Sequence, residues 1–217
     1  MTVQGPLNAP TPCRRSPWLR AGGLLLALVT ASLATSAVVA AQLATGAAEV
    51  MQVPMDLQVP LILKVLIYDR NFAERDQSAV NIAVVFTPSD PTSLQARDEV
   101  LRALERVADK SVGGRPIRFS AIESTRVADI EQAVLARKIS VLYITPGNSA
   151  NLEQLLRLSE RNQVITVTGV PEYVNRGAAV GIGLRQDKPE ILINLASARS
   201  AGGEFDASLL RIARVIR

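Results

Sequence analysis

The 217-residue sequence contains no histidine and a single cysteine, Cys13. Without imidazole there is no Ser-His or Cys-His nucleophilic centre and no histidine-bearing zinc site, and a lone thiol leaves no disulfide within the chain. Aromatic residues supply 4% of the chain against 48% for all hydrophobic residues, so the core must be built from Val, Ile, Leu and Ala. That palette suits a buried sheet flanked by helices. Acidic residues are also missing from the N-terminal part. Arg14, Arg15 and Arg20 precede the first long apolar run, whereas all 20 acidic residues follow it. Most of the formal net charge of +4 therefore belongs to the leader. The near-neutral remainder argues against a nucleic-acid footprint or a charged membrane-binding surface.

What is present begins with an export pattern. From Ala21 to Ala48 no residue is charged, and the apolar stretch follows a basic region and passes through Val39-Ala40-Ala41, small residues of the kind a signal peptidase reads. Residues 1–41 read as a signal peptide, which predicts a periplasmic protein. The alternative is an uncleaved N-terminal membrane anchor, because the run is long enough to span a bilayer. Thr30, Ser32, Thr35 and Ser36 dilute its second half and favour cleavage. Arg14-Arg15 match a twin-arginine signal poorly, since Pro17 stands where a hydrophobic residue is expected. Residues 42–57, which include Pro54, read as a flexible linker, and residues 58–217 as one α/β domain.

Within that domain Val59 to Tyr68 is densely apolar, and Pro60 near its start favours a buried helix over a strand. Val80 to Phe86 is a β-branched core strand. Asp90-Pro91 then supplies an N-cap and a proline at the first helical position, with Leu94, Leu101, Leu104 and Ala108 on one face of the helix and Gly113-Gly114 breaking it. Arg115 to Ile122 alternates like a strand nearer an edge. A short helix marked by Val127, Ile130 and Val134 leads to a strand over Ile139 to Ile144. Asn148 or Ser149 can cap a helix carrying Leu152, Leu155 and Leu156, and Gln163 to Thr168 forms the next strand. Ala179 to Leu184 and Glu190 to Leu195 read as a hairpin, followed by a helix over Ala207 to Ile216 capped by Asp206. The rhythm predicts a doubly wound, mainly parallel sheet with helices on both faces, closed by a C-terminal β-hairpin plus helix.

The tail carries a more specific pattern. Glu190-Ile191-Leu192-Ile193-Asn194-Leu195 runs into the alanine-rich Ala196 to Gly202, and Asp206-Ala207-Ser208-Leu209-Leu210 opens the last helix. This resembles the closing signature of the YfiR-like family, and weaker similarity extends back to about Leu61 through Gly114-Arg115-Pro116-Ile117 and Val141 to Ile144. The resemblance implies a periplasmic α/β protein, often a homodimer, whose best-known member represses a membrane-bound diguanylate cyclase by binding its periplasmic part. Two departures stand out. Family members often carry Trp-Pro after the first helix, where this chain reads Asp69-Arg70-Asn71-Phe72-Ala73. Several also carry disulfides, for which residues 58–217 hold no cysteine.

No catalytic, cofactor-binding or metal-binding set can be assembled from the sequence. The most site-like feature is the loop Thr145-Pro146-Gly147-Asn148-Ser149, joined by Thr168 and Gly169 at the end of the neighbouring strand. Glycine lets a backbone approach a ligand, and a helix N-terminus offers unpaired N–H groups; an ordinary turn and N-cap would use the same residues. Gly177, Gly181 and Gly183 mark close packing, a bulge or an approaching partner, and Asn194 is placed to satisfy backbone groups. Two functions follow. One is a non-enzymatic regulator that binds an inner-membrane signalling protein, a diguanylate cyclase or a sensor kinase. The other is a small-ligand sensor using the strand-end loops.

Overall fold

The computed structural model describes residues 49–74 and 78–216, so the leader and the first part of the linker lie outside the described residues. Helix α1, Met55–Ile67, begins inside the stretch read as a linker, and its first turn is anchored by Leu57 and Gln58 N–H groups donating to Pro54 O. Pro60 is its sixth residue. It sits on the exposed side, where water can satisfy the carbonyl it leaves unpaired. Helix α2, Arg70–Glu74, follows at once.

Strand β1, Val80–Phe86, lies in the interior of the sheet and is buried along almost its whole length. After it come α3, Pro91–Glu105, and β2, Ser111–Val112, then β3, Arg115–Glu123, and α4, Val127–Ala136. The chain continues through β4, Val141–Ile144, α5, Leu152–Asn162, β5, Ile165–Thr168, and α6, Pro171–Asn175. It closes with β6, Val180–Arg185, β7, Lys188–Asn194, α7, Leu195–Ser200, α8, Ala207–Ile212, and β8, Arg214–Ile216. The eight strands form one sheet in the order β2-β3-β1-β4-β5-β6-β7-β8. β3, β1, β4, β5 and β6 are mutually parallel, as expected for crossovers through helices, and β6 and β7 form the expected antiparallel hairpin. Its loop is Gln186-Asp187, both at positive φ, the geometry of a tight two-residue hairpin turn.

Strand alternation divides the core. Val80, Ile82 and Val84 of β1 and Tyr143 of β4 face a layer made by α1, α3, α7 and α8, while Ala83 and Val85 with Leu142 and Ile144 face α4, α5 and α6. Both faces of the sheet are thus covered, which is why β1, β4 and β5 are buried almost throughout rather than on alternate residues.

The structure corrects several sequence expectations. Helix α3 presents Ser93, Ala96, Val100, Ala103 and Leu104 inward, while Leu94 and Leu101 are half-buried flanks and Ala108 is exposed. Small side chains let the helix lie close on the sheet. Gly113-Gly114, at φ 57° and 79°, does not end this helix but turns β2 into β3. The strand expected from Gln163 starts at Ile165, because Gln163 takes a left-handed conformation that caps α5. The last helix stops at Ile212, since Ala213 turns extended, and Arg214-Val215-Ile216 pairs in parallel with the edge of β7. A β-branched tail beside an open sheet edge gains a ladder of hydrogen bonds that a fraying helix end lacks.

Candidate functional site

The connection after β1 runs toward β3 and the one after β4 runs toward β5, so the two loops part between neighbouring strands, β1 and β4. In an open α/β sheet that divergence opens a crevice at the carboxyl ends of the strands, the usual place for a ligand. Thr87 to Asp90 and Thr145 to Ser149 form its two sides.

Asp90 starts α3 as expected, its Oδ1 accepting from the N–H groups of Thr92 at 2.8 Å and Ser93 at 3.1 Å. The two sides of the crevice are stitched together by polar side chains. Thr87 donates its hydroxyl to Gly147 O at 2.7 Å. Ser93 and Thr145 hydroxyls lie 2.7 Å apart, and Thr145 also reaches Val85 O at 3.0 Å. Asn148 is fully buried; its side-chain amide donates to Thr145 O at 3.0 Å, and its backbone N–H donates to the Tyr173 hydroxyl at 3.0 Å. Ser149 is held by Arg176, whose guanidinium donates to its hydroxyl and its carbonyl. Thr168 donates to Ile144 O at 2.9 Å and accepts from Val170 N–H at 3.1 Å.

The structure therefore brings Thr145, Gly147, Asn148, Ser149, Thr168 and Gly169 into one region, but not as a loop of free donors. Neither Asn148 nor Ser149 caps the following helix: Asn151 is the residue that precedes Leu152, and its side chain donates instead to Ser124 O at 2.8 Å. Gly147 has φ 79°, and a Cβ there would collide with the Asp90 carboxyl. Its conformation serves the approach of the chain's own side chain. Gly169 likewise faces the amide of Gln58, a fully buried polar residue of α1 whose Oε1 accepts from the Tyr143 hydroxyl at 3.1 Å.

Sequence reasoning missed a residue that enters the crevice from a distant part of the chain. Glu49 Oε2 accepts from Gly147 N–H at 2.6 Å and from the Tyr173 hydroxyl at 2.9 Å. Its one visible signal is that it is the first acidic residue of the chain. Burial, with the negative charge of Glu49 added, raises the Tyr173 pKa well above the ordinary tyrosine range; burial does the same to Tyr143.

The remaining singled-out residues are structural. Gly181 and Gly183 lie under Val174 and Pro171 of α6, the close-packing reading. Asn194 caps α7 through Ser197 N–H at 3.1 Å and donates to Val174 O at 3.2 Å. Among the described residues no group of three or more cysteines or carboxylates is placed to hold a metal, and no helix is long and apolar enough to cross a membrane.

Comparison with known proteins places this architecture. A conserved domain protein from Vibrio cholerae superposes with a TM-score of 0.55 at 16% identity, over 76% of this chain and 60% of that one. The ABC domain in complex with L-Trp from Streptococcus pneumonia superposes with a TM-score of 0.52 at 13% identity, over 75% and 60%. This chain thus spans three fifths of the length of each, and at such identities the likeness concerns the fold alone. No curated protein matches in sequence. The YfiR/HmsC-like family model, DUF4154, matches residues 72–214, from α2 to the first residue of β8 and through the Ile-Asn-Leu tail motif. The chain belongs to the YfiR/HmsC-like family.

Proposed function

We propose that this protein is a non-enzymatic periplasmic regulator that binds an inner-membrane signalling protein and represses a diguanylate cyclase. The observation that carries the reading is the family match over residues 72–214, which spans every strand from β1 to β7 and reaches the tail signature. A stoichiometric role also fits a crevice whose polar groups bond one another, because such a network holds its members rigidly. Repression requires that binding favour the inactive state of the partner, since a ligand moves an equilibrium only through differential affinity. Deleting the gene is expected to raise cellular cyclic-di-GMP and adhesion, and restoring the exported domain to reverse both. Unchanged cyclic-di-GMP on deletion, with a sensor kinase or transporter recovered from membranes by pull-down, refutes the cyclase assignment.

A second reading is a periplasmic small-ligand sensor. It is favoured by the convergence of the loops after β1, β4 and β5 on one crevice at the point where the strand order reverses.

A further inference from the structure

The segment before α1 lies over the strand ends in extended form. Glu49, Met51 and Val53 turn inward, while Val50 and Gln52 are exposed. Glu49 meets the Gly147 N–H and the Tyr173 hydroxyl. Met51 packs against both core layers, with its sulfur 3.8 Å from the Tyr143 hydroxyl. Apart from these contacts, Gln52 accepts a bond of 3.3 Å from Leu184 N–H. Val53 is buried in the core and its carbonyl accepts from the Gln58 side-chain amide, so the segment is anchored at that end, while residues 49–52 are held by few bonds over a cross-linked floor.

That floor has the character of an anion site. Gly147 N–H and the Tyr173 hydroxyl converge on one carboxylate oxygen, and Tyr173 is itself completely buried. Arg176, fixed by Ser149 beside Asn148, has no carboxylate in ion-pair contact among the described residues, and its positive charge is felt at Tyr173. Asp90, the other carboxyl group near Gly147, is committed to capping α3. Two residues along, the partly buried Met51 packs against both core layers beside the Tyr143 hydroxyl.

We propose that the strand-end crevice is a binding site for small organic acids with an apolar tail, and that Glu49 and Met51 of the chain's own N-terminal segment occupy it in the absence of such a ligand. The carboxylate of the ligand takes the place of Glu49 at Gly147 and Tyr173, and its tail takes the place of Met51. Binding then releases residues 49–52 from the sheet, with the buried Val53 as the fixed point. The inference deepens the ligand-sensor reading and is independent of the cyclase reading, which the deletion experiment tests separately.

The test uses the full chain with 15N-labelled glycine, titrated with hexanoate and with acetate while the amide signals of Gly147 and Gly169 are followed. A tethered competitor acts at an effective concentration in the millimolar range, so Glu49→Ala is expected to bind hexanoate at least about tenfold more tightly than the unmodified chain. The apolar tail predicts that hexanoate binds about tenfold or more tightly than acetate. In the Glu49→Ala background, Tyr173→Phe removes a donor to the carboxylate and is expected to weaken hexanoate about tenfold. If Glu49→Ala fails to fold, Glu49→Gln keeps the side-chain volume while removing the charge. In the unmodified chain, hexanoate should also accelerate hydrogen exchange at the Met51 amide. A Gly147 signal unmoved by about 100 mM hexanoate in the variants overturns the site. Equal affinity of variant and unmodified chain overturns the competition, and equal affinity for acetate and hexanoate overturns the ligand class.

Discussion

Replacing Gly147 with alanine acts on two features at once. The residue sits at φ 79°, where a Cβ costs roughly 1–2 kcal/mol in the left-handed region. The added methyl group also collides with the Asp90 carboxyl, which cannot swing away without releasing the N–H groups of Thr92 and Ser93. Losing an N-cap costs about 1 kcal/mol, so Gly147→Ala should destabilise the fold by about 2–3 kcal/mol in total. Asp90→Ala alone should cost about 1 kcal/mol. In the double variant the cap is already gone and the new methyl group has room, so only the backbone conformation remains to be paid for. The combined loss should stay at about 2–3 kcal/mol, a coupling of about 1 kcal/mol in magnitude. Urea denaturation of all four proteins, with unchanged m-values as the check on two-state behaviour, measures this cycle. Strict additivity of the two losses, or a Gly147→Ala cost below about 0.5 kcal/mol, would refute the argument that Asp90 and Gly147 are packed as a unit.

Because Tyr143 and Tyr173 hold their protons more tightly in the folded than in the unfolded chain, the unfolded state loses them first as pH rises through about 10. Stability should therefore fall above about pH 10, and Tyr173→Phe should flatten that decline in denaturation curves taken across pH. The opposite sign applies to Asp206, whose carboxyl is held well below the ordinary range by the Ser208 N–H and the Arg70 guanidinium. Its contribution is present above the unfolded value and lost as pH falls through the folded one. The stability gap between the unmodified chain and Asp206→Ala should thus be constant above about pH 5 and narrow below about pH 4. N-terminal sequencing of the exported protein should find a start near Gln42; an intact leader in the membrane fraction would show an anchor instead.

How much of this fold is legible in the sequence depends on the range of the interaction. β1 is read to the residue because Val80 to Phe86 lies in the sheet interior and, apart from Asn81, is apolar and buried on both faces. Asp90-Pro91 marks the start of α3 because cap and proline act locally. β2 has only two residues and carries no period, and α6, with five residues, is too short for a helical one. The tail misled because Leu209 to Ile216 is apolar enough for a helix, and only the free edge of β7 makes the strand preferable. Proximity in sequence located the Thr145 to Ser149 loop, but its burial depends on Thr87, Ser93 and Tyr173, which are brought to it by other elements.

Glu49 shows why the site was harder to read than the fold. It lies 98 residues from Gly147 and 124 from Tyr173, and no local spacing relates it to either. A polar group shut in this crevice without a partner would cost about 1–3 kcal/mol, so the residues that remain there are those that satisfy one another. Thr145, Asn148, Thr168 and Gln58 do so within the floor. The Gly147 N–H points out of the floor, and Glu49 satisfies it from a segment outside the residues 72–214 that define the family match. The rigid part of the crevice thus falls largely within the family match, whereas the piece that covers it comes from the residues just before α1. A cover carried by residues 49–52 can open while the core stays closed behind it, because the bonds to be released are those of Glu49, Met51 and Gln52, and Val53, buried and held by the Gln58 side-chain amide, stays in place.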